Sequence, residues 1–487
     1  MIFLKETILN KLQDNPIVQQ MLQFGNNIGN LLPNEEALCL ASAFMQDKQT
    51  RIVVKKNRYE AQQLYQRLKP LNDDTLLFVM EESLRVQAIA SSPEDKQEQL
   101  YVLTQLVKED KPRIIICNTA AFFRYLPDKE LFRNLCFKFE VDQEITMTEL
   151  KQKLNRAGYT KVNYVDRPCT YASRGGIVDV YCLEYDHPIR IEFFDTVIES
   201  IRIFHEETQR TIETIDSVLI NPATDLLFTD DQIEFLQKEI DSELEKQHEK
   251  LIQDDYDFLL DYIEKDKIAL ENYDIDPHLY IYFSYLNANQ FMDYVQGHII
   301  FSSQEEVENG YKKLNEETIS FIQEMVESHQ YLPKYSMFHD VFTFEKEHNI
   351  QMFHDFMDFK NPIFSKIETL EKSDPPLIQV LENLKGKNIY ISLDEEHTKK
   401  VEEALKHIRF IKISYLLKMI FMKGLCMKIF LCILNKNYFI ALVKSRDIRK
   451  HLNKDKFYKI FLNLNQTTML CMNNMVLVNM LGSQHEK

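Results

Sequence analysis

The residue patterns that most often bind nucleotide phosphates are missing from this sequence of 487 residues. A P-loop needs glycines whose bare backbone wraps a phosphate, followed by a lysine and by a hydroxyl residue that reaches the metal. The sole Gly-Lys pair, Gly386-Lys387, is followed by Asn388 and lacks the upstream glycine. No GxGxxG, HExxH or GxSxG pattern occurs either. We therefore predict no catalytic residue and no bound cofactor for this chain.

Metal ligands and membrane segments are equally sparse. The eight cysteines form no CxxC pair and no Cys/His cluster with zinc spacing, so we expect free thiols in a reducing compartment and no metal. The formal net charge of −17 disfavours nucleic acid, because phosphate binding depends on Lys and Arg. Residues 1–13 lack the apolar core of a signal peptide, and the apolar residues of the tail are too often interrupted by lysines for a membrane span. A cytoplasmic protein without a membrane partner is expected.

A strand of sequence IRIEFF offers a different chemistry, which is the binding of another protein. The strand period of two places Ile189, Ile191 and Phe193 on one face, which we expect to pack on a neighbouring helix. Arg190 and Phe194 then share the opposite face. Arginine and aromatic side chains are the types that most often anchor protein interfaces. This pattern predicts a docking face.

Arg174, on a neighbouring strand or its lead-in, extends the same candidate face. The residues by themselves favour a structural alternative. In that alternative Phe194 is covered by a neighbouring segment, and Arg190 pairs with Glu192 or Glu199.

The elements that must position these residues divide the chain into five segments. Alternating apolar strands and helical spacing indicate a mostly parallel α/β sheet first, and a capping box at Thr146 and Glu149 then opens a small α+β insert with a strand meander. The predicted segments are an α/β part (1–135), the insert (136–222), a helical and acidic part (223–345), the start of a small α/β domain (346–410) and a basic tail (411–487).

The stretch that begins at Ser173 reads SRGGIVDVYCLEYDHPIRIEFFDTVIESIRIFHEETQRTIETIDSVLINPATD. It resembles the signature of the transcription-repair coupling factor family, in the small domain that this family shares with the UvrB subunit of the excinuclease. The glycine pair Gly175-Gly176 and the phrase from Glu207 through Arg210 favour the coupling factor. One departure concerns the lead-in, where the family usually has Pro-Gly-Glu-Phe but Pro168 is followed here by Cys169. Loss of this glycine predicts an altered turn.

The resemblance implies a degenerate RecA/UvrB-like parallel-sheet domain that carries the insert and is followed by a small α/β domain. In the family, the equivalent arginines and ring bind the damage-recognition ATPase UvrA, so Arg174, Arg190 and Phe194 are the expected UvrA-binding residues. Residues 33–36 stand where the P-loop would lie. Ser303 and Gln304 occupy the acidic metal-binding positions of the degenerate nucleotide site. Loss of both halves of the site predicts a chain without ATPase activity.

For the intact family, the resemblance implies an ATP-dependent DNA translocase that displaces stalled RNA polymerase at lesions and recruits nucleotide excision repair through UvrA. RNA polymerase, double-stranded DNA, ATP and magnesium would bind domains that are not visible in this sequence. The codons of residues 433–439 and 472–480, read one base earlier, permit strings that resemble the family. We therefore expect a frameshift near residue 411 and a tail without a native fold. The alternatives are a divergent UvrB-type excinuclease subunit and an unrelated protein-interaction module.

Overall fold

The structure is a computed structural model of the chain. It describes residues 6, 9–23, 28–29, 31, 33–82, 93–274 and 276–354, together with five strands after residue 362. The chain divides into two compact units, Lys5–Asn361 and a second unit formed by Met1–Leu4 with Pro362–Lys487.

A six-stranded parallel sheet forms the centre of the first unit. Ile and Val dominate the strands Arg51–Lys55 and Ile114–Asn118, as expected of strands that are covered on both faces. In spatial order the strands are Ile28–Gly29, Ile350–His354, His298–Phe301, Arg51–Lys55, Ile114–Asn118 and Thr75–Phe78. The chain leaves this sheet after Ile114–Asn118 and returns to it at His298–Phe301. The predicted parallel α/β sheet is confirmed.

Helices surround the parallel sheet and fill the acidic region after the insert. The α-helices span Pro16–Leu22, Pro33–Asp47, Arg58–Leu68, Pro93–Lys108, Thr119–Phe123, Lys129–Asn134, Met147–Arg156, Asp230–His248, Gln253–Glu271, Phe291–Tyr294, Gln304–Glu327 and Val341–Glu347, and a 3-10 helix spans Pro277–Tyr285. Among the helices that the structure describes, none is long and apolar enough to cross a membrane.

The insert is built on a second six-stranded sheet, which is antiparallel except for its last pair of strands. In spatial order the strands are Thr211–Ile215, Val197–Phe204, Ile189–Phe194, Ile177–Tyr181, Thr170–Arg174 and Thr160–Lys161. The predicted capping box of Thr146 and Glu149 opens the helix Met147–Arg156. This helix buries Leu150 and Leu154 in the same core as the inner face of the sheet.

A two-stranded antiparallel ribbon, Phe137–Glu140 paired with Ser217–Ile220, brings the two ends of the insert together. A buried ion pair lies just beyond the second of these strands. Arg124 Nη2 lies 2.6 Å from Asp225 Oδ2, and the Arg124 guanidinium also donates to Gln99 Oε1 at 3.0 Å. The sequence alone does not predict this pair, because its members are about a hundred residues apart along the chain.

Cys169 stands where the family usually has glycine, and its backbone adopts the left-handed conformation that favours glycine. Its φ is +64°, and its thiol is half-buried against the core. The altered turn therefore stays a prediction, but the backbone here does take a conformation that glycine adopts more easily than cysteine. A residue with a Cβ in this conformation costs on the order of 1–2 kcal/mol.

We expect Cys169→Gly to unfold at higher denaturant concentration than Cys169→Ala, by about 1 kcal/mol of unfolding free energy. The comparison with Ala separates backbone strain from loss of the thiol, because both variants lose the same half-buried sulfur. Urea unfolding of the two variants measures the difference. Equal midpoints would show that the turn relaxes at no cost.

His278 forms a charged network with two aspartates between the helix Gln253–Glu271 and the 3-10 helix. Its Nε2 lies 2.5 Å from Asp266 Oδ1, and its Nδ1 lies 2.8 Å from Asp276 Oδ1. The buried Asp266 also accepts a hydrogen bond from the Tyr282 hydroxyl at 2.6 Å. Burial lowers the pKa of His278, but the two aspartates outweigh it and raise the pKa to about 9.

A raised pKa means that the folded chain holds this proton more tightly than the unfolded chain does. The stabilisation from His278 is therefore fully present below pH ~6.5, the usual imidazole value, and is lost as the pH rises through about 9. We expect the unfolding free energy of the wild type to exceed that of His278→Gln by about 3 kcal/mol at pH 6 and by much less at pH 10. Urea unfolding at both pH values gives the two differences. A constant difference would contradict the assigned network.

The second unit contains a mixed five-stranded sheet. In spatial order its strands are Phe364–Leu370, Ile429–Leu434, Asn437–Leu442, Asn388–Leu393 and Ile413–Leu417. The predicted strand at 388–392 is present. The predicted helix at 395–408 and most of the tail 411–487 lie outside the described residues, so the frameshift and the five segment boundaries stay predictions.

Candidate protein-docking face and degenerate nucleotide site

The strand Ile189–Phe194 alternates as its sequence predicts. Ile189 and Ile191 are fully buried and Phe193 is 9% exposed, whereas Phe194 is 75% exposed. Phe194 is thus a large aromatic side chain that the fold leaves in solvent at the tip of the hairpin formed with the strand Val197–Phe204. The two-residue turn Asp195-Thr196 follows it, and Asp195 takes a left-handed φ of +56°. The expectation that a neighbouring segment covers Phe194 is wrong.

The paired glycines build the turn that brings Arg174 to this face. Arg174 and Ile177 are cross-strand partners, so Gly175-Gly176 form a two-residue hairpin loop. Gly175 has a φ of +57°, and a Cβ on Gly176 would lie 3.0 Å from the carbonyl oxygen of Phe193. Both glycines are therefore needed for the hairpin to lie close to the Phe194 strand.

Strand register places all three predicted residues on one face of the sheet. Ile177 pairs with both Arg174 and Glu192, and Phe194 follows Glu192 by two positions. Arg190 precedes Glu192 by two positions and belongs to the same face. Arg174 lies two strands from the Phe194 strand, or about 10 Å. It is exposed and forms no ion pair within the described part of the chain.

Arg190 differs from the other two because it is already bonded inside the insert. Its Nε and Nη2 donate to the two carboxylate oxygens of Asp179 at 2.7 and 2.8 Å, and this contact raises the pKa of Arg190. The predicted alternative partners were wrong, since Glu192 instead pairs with Arg202 and accepts from Ser200 Oγ at 2.8 Å. The exposed groups of the face are therefore Phe194 and Arg174, with Arg190 held at its base.

Buried carboxylates occupy the start of the helix Pro33–Asp47, where the family resemblance places the P-loop. Glu35 and Glu36 are both buried, and Glu36 lies 2.8 Å from Lys55 Nζ and accepts from Ser302 Oγ at 2.5 Å. Burial, with the two carboxylates, raises the pKa of Cys39 well above its usual value. A helix N-terminus normally attracts phosphate through its partial positive charge. The carboxylates here place negative charge at that position, which disfavours a phosphate.

Ser303 and Gln304 serve the helix Gln304–Glu327 that follows the strand His298–Phe301. Ser303 caps this helix by accepting from the Glu306 amide at 3.3 Å, and Gln304 donates to Glu308 at 2.8 Å. Neither residue offers a carboxylate to a magnesium ion. Across the described ranges, no group of three or more potential His, Cys, Asp or Glu ligands comes together.

We expect the purified chain to release no phosphate from Mg-ATP above the buffer rate, because carboxylates stand where the resemblance places the phosphates, and Ser303 and Gln304 replace the acidic residues that would bind the metal. A coupled phosphate assay across gel-filtration fractions makes the measurement. Magnesium-dependent turnover that follows the chain through the column would contradict this prediction. An independent titration with a fluorescent ATP analogue is expected to show no saturable binding.

Comparison with known proteins agrees with this geometry. Residues 137–226 match the family described as UvrB interaction domain, which covers the whole antiparallel sheet. The chain is 30% identical over 300 residues to the transcription-repair-coupling factor of Bacillus subtilis, covering 60% of this chain and 25% of that protein. It is 28% identical over 308 residues to the factor of the same name from Staphylococcus haemolyticus, covering 62% of this chain and 26% of the relative.

The chain thus spans about a quarter of the length of the curated relatives that it matches. The match to the insert coincides with the stretch on which the sequence resemblance was based. The resemblance predicted from the sequence is confirmed: residues 137–226 match the UvrB interaction domain, and the chain is similar to the transcription-repair-coupling factors.

Proposed function

We propose that the insert binds UvrA, the damage-recognition ATPase of nucleotide excision repair, through the face that carries Phe194 and Arg174. The observation that carries the proposal is the 75% exposure of Phe194 beside an exposed arginine, on a sheet matched by the UvrB interaction domain. An aromatic ring held in water is unfavourable for the isolated chain and favourable once a partner covers it. Its fixed position on a strand also limits the entropy lost on binding.

The proposed role of the chain is that of a docking scaffold in transcription-coupled repair, in the cytoplasm. In the full-length relatives, the motor that uses ATP and magnesium to move along double-stranded DNA and displace RNA polymerase would lie in other domains. The network of Glu36, Lys55 and Ser302 supports a separate motor, because side chains of the insert-bearing unit already bond to one another at this end of the sheet. No nucleotide is needed to satisfy them. It also disfavours the alternative of an active UvrB-type excinuclease subunit.

Titration of the purified chain into purified UvrA tests the proposal. We expect saturable binding that needs no nucleotide bound to the chain, and we expect purified UvrB to compete for it, since the insert resembles the domain that UvrB uses. Absence of binding, or binding that saturating UvrB leaves unchanged, would contradict the proposal. An unrelated interaction module predicts the same lack of competition, so this titration also separates that alternative.

A further inference from the structure

The guanidinium of Arg190 is fixed on three sides by residues of the insert. Nε and Nη2 donate to Asp179 at 2.7 and 2.8 Å, and Nη2 also donates to Gln209 Oε1 at 2.8 Å. The guanidinium carbon lies 4.3 Å from the centroid of the buried Phe204 ring. All the N–H groups of Nε and Nη2 are thereby used. Nη1 keeps two N–H groups that donate to no residue in the described ranges.

Gln209 is itself held in one conformation. Its backbone takes a left-handed φ of +58°, and its amide nitrogen donates to the Glu206 carbonyl at 2.8 Å and to the Tyr164 hydroxyl at 2.7 Å. The side-chain amide therefore links the loop to Arg190. Its nitrogen donates to groups of the insert, and its oxygen accepts from the guanidinium. This arrangement gives a physical role to the phrase from Glu207 through Arg210.

Fixing an arginine side chain in advance changes what it contributes to an interface. A free arginine carries about 2 kcal/mol of rotamer entropy, part of which is lost when a partner orders it. Asp179, Gln209 and Phe204 have already ordered Arg190 during folding. What remains for a partner is a pair of N–H donors at Nη1 in a set direction, which suits an acceptor oxygen.

We infer that Asp179 and Gln209 are positioning residues of the docking face, which hold Arg190 so that its Nη1 donates to an acceptor oxygen of the bound protein. The inference rests on the proposed function, since it concerns the same face and the same partner. It assigns Asp179 and Gln209 no contact with the partner: both act through Arg190. Their effect on binding must therefore disappear when Arg190 is absent.

Asp179→Asn and Gln209→Asn test the inference. The first keeps the side-chain shape and removes the charge. The second places a shorter amide, which cannot reach Arg190, in a residue type that tolerates the left-handed backbone. We expect each change to weaken UvrA binding about five- to tenfold in the wild-type background, with less than about a twofold effect in the Arg190→Ala background. Arg190→Lys is not expected to bind as tightly as wild type, because lysine lacks the planar guanidinium that Asp179 and Gln209 hold.

Equal losses in both backgrounds, or no loss in either, would overturn the inference. Thermal melting checks that each variant is folded. If Arg190→Ala melts below the assay temperature, Arg190→Met replaces it, because its apolar stem still covers Phe204. Phe194→Ala is measured in parallel. If it leaves binding unchanged, the proposed function fails; if it weakens binding and the two Asn variants do not, the positioning role alone fails.

Discussion

Phe194→Ala is expected to weaken binding of UvrA by at least about thirtyfold, which corresponds to about 2 kcal/mol. The ring is 75% exposed in the unbound chain, so most of its apolar surface is available to a partner. Burial of a phenylalanine side chain contributes about 2–3 kcal/mol. Because the ring packs so little inside the insert, its removal is expected to change the unfolding free energy by no more than about 0.5 kcal/mol.

Matched controls make this result specific. Phe258→Ala removes an equally large ring that is 50% exposed on the acidic helix Gln253–Glu271, and we expect it to leave UvrA binding unchanged. Arg174→Ala should weaken binding about tenfold. Its control Arg167→Ala removes an exposed arginine in the loop before the strand Thr170–Arg174. This control should weaken binding less than Arg174→Ala does, even at low salt, where surface charges act most strongly. Titration calorimetry gives each affinity. Equal effects of Phe194→Ala and Phe258→Ala would contradict a localised docking face.

Loss of either partner of the Arg124–Asp225 pair is expected to destabilise the chain by about 3–5 kcal/mol. Both side chains are buried, with Nη2 and Oδ2 2.6 Å apart. Burial by itself shifts both pKa values towards the neutral forms, but the attraction between the two charges outweighs it, lowering the pKa of Asp225 and raising that of Arg124. Removing one partner leaves the other charged and out of water, at the point where the insert rejoins the parallel-sheet unit.

Three variants test whether the cost comes from an unpaired buried charge. They are Arg124→Ala, Asp225→Ala and the double variant that combines Arg124→Met with Asp225→Leu. The combined variant replaces both charges by apolar groups of similar size, and we expect it to recover most of the lost stability. Urea unfolding of the three variants measures the free energies. If the combined variant is as unstable as the single ones, the cost does not come from an unpaired buried charge.

Local sequence patterns predicted much of the fold. The capping box at Thr146 and Glu149 fixed the start of a helix to within one residue, because both of its hydrogen bonds lie within one turn of the chain. The alternation of Ile189, Ile191 and Phe193 predicted which face is buried, because the strand period is a property of the backbone. These features need no knowledge of neighbouring segments.

Partners across strands could not be read in the same way. The choice of Asp179 over Glu192 as the partner of Arg190 depends on register between two strands, and no local pattern fixes it. The strand Thr211–Ile215 was not predicted because its residues are mostly exposed and lack apolar alternation. Lys55 and Ser302 meet Glu36 only because the parallel sheet brings three distant strand and helix ends together. In each case the missing information was tertiary.

Hydrogen–deuterium exchange of the chain with and without UvrA tests the central claim most directly, because it locates the bound surface without mutation. The turn amides of Gly175, Gly176 and Thr196 lie beside Arg174 and Phe194 and are the reporters. We predict slower exchange in peptides that contain these turns when UvrA is bound, and unchanged exchange in 253–271. Protection confined to the helix Gln253–Glu271, or binding that leaves both turns unprotected, would contradict the docking face proposed for this chain.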